Sequence, residues 1–217
     1  MKDPSSPPGP LVLSYLELRA AIGIIGCALP FTLAFGKILL QGPGLQESIS
    51  GYYYTDMRNV FVGSLCAIGV FLISCRGYDR RDEIAGFLAC IFAIGVALFP
   101  TTPYVGATSR DKLIGAVHLS LAALLFLTFA YFSLALFTKT APGKTPTAQK
   151  RQRNAVYRVC GFTILGCILL IVVVKLPAVN AFVERLAPVF WLESTAILAF
   201  GVAWLTKGET ILKDRET

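Results

Sequence analysis

At 217 residues, with a mean hydropathy of +0.65, 55% hydrophobic residues and only 15% charged ones, the chain excludes an ordinary soluble domain, where about a quarter of residues are charged. Its formal net charge of +7 does not indicate nucleic acid. The basic residues stand at the ends of long apolar runs, where they set membrane topology and meet anionic headgroups.

Residues 1–10, rich in Pro and Ser, read as a short disordered tail without the basic start of a signal peptide. Residues 11–19 carry Glu17 and Arg19 and are expected at the interface. A first span follows over about residues 20–40, with Pro30 as its kink. Residues 47–64, ESISGYYYTDMRNVFVGS, then gather acidic, hydroxyl, phenolic and basic groups between two apolar runs.

The second span, about residues 59–74, closes at a loop with Arg76, Arg80 and Arg81. In the third, about 82–99, Ala85, Ala89, Ala93 and Ala97 form a small-residue stripe that invites close helix approach, so this helix is expected to be central. Asp82 and Glu83 suit its N-terminal dipole. Pro100 and Pro103 end it, and the fourth span, about 113–137, holds the chain's single histidine, His118.

The basic stretch 138–157 reads as a flexible loop, the fifth span as about 159–174, and residues 175–188 as a short amphipathic connection. In the sixth span, about 189–206, Trp191 and Trp204 stand about 20 Å apart at 1.5 Å per residue, a spacing that suits anchoring at both interfaces. The six cysteines show no metal or redox spacing and read as small packing residues.

The expected fold is therefore one all-α domain, a polytopic membrane bundle of six transmembrane helices, each near the roughly 17–25 residues that span a bilayer. With both termini cytoplasmic, 14 of the 20 basic residues fall inside. A bacterial inner (cytoplasmic) membrane is the expected location.

That topology carries His118, Glu193 and the polar stretch to one outer level. An intramembrane carboxylate is costly unless it faces the bundle interior and finds a partner. The candidate pocket comprises Glu193 as base or anion, His118 as proton carrier or hydrogen-bond partner and Arg58 as an anion anchor. Asp56, Ser50 and Tyr54 form its rim. The bland alternative is a structural network fixing helix register. Ser48 and Ser50 lack a demonstrated base and read as turn or cap residues, and the three tyrosines Tyr52 to Tyr54 fit an interfacial belt as readily as a ligand mouth.

Ser48-Ile49-Ser50, the aromatic and basic approach from Tyr52 to Arg58, the G-x-x-H of Gly115 to His118 and the late Glu193 resemble the Frag1/DRAM/Sfk1 group and related bacterial six-helix membrane families. The resemblance implies lipid-related or regulatory work, such as remodelling of glycosyl-phosphatidylinositol anchors in one branch. One histidine cannot supply the three-histidine zinc site of the seven-helix metal hydrolases, so no metal or cofactor is expected. The leading function is binding of a membrane lipid or small amphiphile. Alternatives are a proton- or cation-linked transporter or channel, a lipid head-group enzyme using Glu193 and His118, and a structural subunit with a helix-packing partner or a second copy.

Overall fold

The computed structural model describes residues 14–75, 79–140, 143 and 145–212. The expected N-terminal tail and part of the loop at Arg76 lie outside the described residues. The described residues form seven α-helices: α1 Tyr15–Gln41, α2 Arg58–Ser74, α3 Arg80–Leu98, α4 Ser109–Tyr131, α5 Ala148–Val174, the short α6 Pro177–Val183, and α7 Pro188–Lys207. A 3₁₀ turn, Ser50–Tyr54, precedes α2, and a π-helical turn, Phe132–Leu136, prolongs α4. Together with its π turn, α4 joins α1, α5 and α7 as helices long and apolar enough to cross a membrane. They mark the chain as an integral membrane protein. The apolar α2 is shorter, and the first turn of α3 carries Arg80, Arg81, Asp82 and Glu83.

Several helices begin earlier than hydropathy predicts because their first turns are polar and capped. Ser14 and Glu17 form a reciprocal capping box that starts α1 at Tyr15, and Thr108 with Asp111 does the same for α4. Asp79 caps α3, reciprocated by Asp82. The basic stretch expected to be a flexible loop is helical from Ala148, where Thr147 accepts the Lys150 N–H. Its Gln, Lys and Arg residues are good helix formers, and their charge conceals that propensity from a hydropathy reading.

The long helices close into a ring: α1 packs on α2, α2 on α3, α3 on α4, α4 on α5, α5 on α7, and α7 back on α1. The alanine stripe of α3 is buried. It meets α2, where Gly69 faces Ala93 and Cys90, and Gly86 lies against the Leu72 carbonyl. Burial nevertheless runs further around α7 than around α3: ten of the twenty residues of α7 are buried, against eight of the nineteen of α3. The stripe serves one narrow seam and leaves Phe87 and Ile91 exposed, whereas α7 buries residues around most of its circumference. At the α1–α7 crossing, a Cβ on Gly201 would stand 2.5 Å from Cys27 Sγ and 2.9 Å from the Gly23 carbonyl oxygen. Backbones this close supply the van der Waals packing that holds helices together in lipid, where apolar burial gives little drive.

Trp191 is exposed, as an interfacial anchor would be, but Trp204 is buried. Its ring packs edge-on against Phe132 and Phe137 and lies 6.2 Å from Phe200, which stacks on Phe129 at 3.7 Å. Helical spacing alone placed Trp204 at a membrane surface. The return of α5 and the π turn beside it makes that position interior.

Candidate functional site

The site begins with α1's exit. Lys37 Nζ donates to the Gly42 and Pro43 carbonyls, and Gly42 and Gly44 take the positive φ angles that turn the chain. Ser48 then folds the segment on itself: its hydroxyl accepts the Gly51 N–H at 3.0 Å and lies 3.2 Å from that of Ser50. Ser48, Ile49, Ser50 and Tyr52 are all buried. This segment packs across the start of α7, where Tyr52 meets Phe190 and the Phe190 N–H donates to the Glu47 carbonyl at 2.9 Å. That bond satisfies one of the amides that a helix N-terminus leaves without an internal partner.

Glu193 completes the attachment. One turn further along α7, its carboxylate accepts the Ile49 N–H at 2.6 Å, and the Ser50 amide bears on it as well. Backbone donors thus answer the cost of placing a carboxylate within a membrane span. Beside it, the buried Ser194 hydroxyl makes no hydrogen bond among the described residues.

His118 is held from the opposite wall. It is buried in α4, and Nδ1 donates to the Phe99 carbonyl at 2.6 Å, with the Val96 carbonyl also close enough to act on the ring. Each of those carbonyls lies four residues before a proline, Pro100 and Pro103, which has no N–H to offer. The imidazole therefore serves the end of α3. Gly115, one turn earlier, permits the approach: a Cβ there would fall 1.9 Å from Thr102 Oγ1. The G-x-x-H pattern is thus a close-contact residue followed by a cap.

Glu193, His118 and Ser50 line one otherwise apolar cavity of about 50 Å³ inside the helix ring, walled by residues such as Leu29, Phe61, Leu65, Phe126 and Phe129. The two ionisable groups share this space, each hydrogen-bonded to backbone. The other predicted residues stand outside it. Arg58 is exposed, its guanidinium donating to the Tyr53 hydroxyl at 2.5 Å and lying over that ring at 4.2 Å. A nearer aromatic partner, five residues back in sequence, takes the charge expected at Glu193. Asp56 is exposed, and Tyr54, about half exposed, donates to the Thr101 carbonyl at 2.6 Å, tying the 3₁₀ turn Ser50–Tyr54 to the α3–α4 loop.

Sequence reasoning missed the Ile49 amide, the Phe99 carbonyl and the Tyr104 hydroxyl, which lies 3.4 Å from Ser48 Oγ. The prolines at Pro100 and Pro103 were the available signal for the second, since they name the carbonyls that need a donor. Among the described residues, no three His, Cys, Asp or Glu side chains come together to hold a metal ion. Comparison of the chain with family models, curated proteins and solved structures gives no match.

Proposed function

We propose that this chain is a six-span protein of the cytoplasmic membrane, with both termini cytoplasmic, that binds a lipid or small amphiphile in the outer half of its helix ring. The observation that carries this reading is the double role of Glu193: it lines the cavity and also holds the 48–50 segment across it. The space of about 50 Å³ accommodates roughly three or four waters or the tip of an acyl chain. A larger amphiphile enters as residues 47–57 lift. The carboxylate released from Ile49, with the Ser50 hydroxyl, then meets the polar group, while the Leu, Ile and Phe walls take the apolar part.

In this mechanism Glu193 is a latch and a recognition group, and His118 a fixed wall that keeps α3 and α4 together. Glu193→Gln loses the charge-assisted bond to Ile49. It should speed hydrogen exchange at the Ile49 and Ser50 amides and remove a co-purified lipid seen by native mass spectrometry, with the helical circular dichroism unchanged. Identical lipid content in wild type and variant would sink the reading. Proton-linked flux in proteoliposomes that vanishes in the same variant would instead favour a transporter.

A further inference from the structure

The polar groups of the Glu193 cavity are of one kind. Glu193 brings a carboxylate, which only accepts hydrogen bonds. The Ser50 hydroxyl, 3.2 Å from that of Ser48, can donate to Ser48 and keep its lone pairs for a ligand. His118 adds a third acceptor. A carbonyl cannot donate, so the Phe99 carbonyl at 2.6 Å fixes the ring proton on Nδ1, and the Val96 carbonyl beside the ring is an acceptor too. A charged ring held within a span by carbonyls alone is costly, and the neutral ring offers Nε2 as a lone pair. The charges point the same way. No lysine or arginine lines the cavity. Arg58 is turned onto Tyr53, and Lys175, exposed at the end of α5, acts on Glu193 through its field without forming an ion pair among the described residues. Phe61 and Phe126 stand in the same lining, and phenyl faces attract a cation.

We infer that the cavity selects the primary ammonium group of an amphiphile, seated among Glu193, His118 and Ser50. The inference rests on the reading of the cavity as an amphiphile site and names the chemical class that site takes. A primary ammonium carries three N–H donors and no acceptor, one donor for each of the three acceptors. As residues 48–50 lift, the Ile49 and Ser50 amides leave Glu193, and the ammonium takes their place with a full opposite charge. A hydroxyl tip supplies one donor and leaves the carboxylate's charge unanswered. A phosphate or carboxylate tip sets acceptors against acceptors and charge against like charge, so the same groups that hold an amine reject an acid. The methylenes next to the nitrogen meet Leu65, Ala122 and the phenyl rings.

The test uses the purified full chain in detergent and native mass spectrometry, with dodecylamine, dodecanol and dodecanoate as probes that share one chain and differ in the tip. Dodecylamine should be retained about tenfold over dodecanol, the gain expected for one charge-assisted contact, and dodecanoate least. Glu193→Gln should remove the preference for the amine while dodecanol stays bound. Ser50→Ala, which keeps the backbone amide, should lower amine retention severalfold and reports on binding should Glu193→Gln fold poorly. Ala122→Phe, which fills the cavity, should abolish retention of all three probes. Dioleoyl phosphatidylethanolamine and its trimethylated counterpart dioleoyl phosphatidylcholine, which has no N–H to donate, distinguish the source: a Glu193-dependent preference for the former assigns the site to a phospholipid headgroup, and none, with dodecylamine still preferred, to a single-chain amine. Dodecanol or dodecanoate retained as strongly as dodecylamine, or an amine preference that survives both Glu193→Gln and Ser50→Ala, overturns the inference while leaving an amphiphile site. Retention of none of the probes overturns the amphiphile reading itself.

Discussion

His118 shows how a residue that looks catalytic in sequence acquires a backbone duty in three dimensions. Its Nδ1 donates to a carbonyl that Pro103 cannot serve, and Gly115 lets α4 approach closely enough for the bond to form. Removing the ring strands a buried acceptor, so His118→Ala should lower unfolding stability by about 1–3 kcal/mol, measured as denaturant or thermal unfolding in a fixed detergent. Gly115→Ala should cost a similar amount, about 1–3 kcal/mol, because its methyl group meets Thr102. If His118 served the cavity alone, its loss would leave stability unchanged. Glu193 was legible as a residue needing a partner, but that partner, the Ile49 N–H, is a backbone group 144 positions away. Side-chain chemistry pointed to Arg58, which folds locally onto Tyr53 instead.

At the scale of elements, the α1–α7 seam depends on Gly23, Gly26 and Gly201. Gly201→Val should separate the two helices and destabilise the protein by about 1–3 kcal/mol. A lower melting temperature with weaker protection of α1 amides would register the change, whereas Gly166→Ala, with open space at its Cβ, should be neutral. The start of α3 carries a pH-dependent tie. The hydrogen bond from Lys139 and those from the Asp82 and Arg81 amides hold the Asp79 carboxyl below its ordinary value of 3.8. A carboxyl lowered in the folded state stabilises it above the unfolded pKa and loses that contribution as pH falls through the folded value. Hydrogen exchange at Arg81 and Asp82 should therefore accelerate below about pH 4 relative to intrinsic rates, and Asp79→Asn should flatten that dependence. Most helix cores were legible from apolar runs; their starts were not, because Ser14, Thr108 and Thr147 work through single hydrogen bonds in polar first turns.

For the whole molecule, the apolar runs by themselves determined a helical membrane protein, since a segment in lipid must satisfy its backbone hydrogen bonds internally. Alternating helix direction also carried the 47–64 stretch, His118 and Glu193 to one end and the basic residues Arg19, Lys150 and Lys207 to the other. Only the tertiary structure decided that α7 is more enclosed than α3, that Trp204 is interior, and that Glu193 holds the 48–50 segment over a cavity while Arg58 stays outside. The physical reason is the ring closure of α7 between α1 and α5. Hydropathy reports how far a helix can enter a membrane, and helical period reports which residues share a face. Which neighbour covers that face depends on contacts between segments far apart in the chain, from tens of residues for α5 and α7 to more than a hundred for α1 and α7.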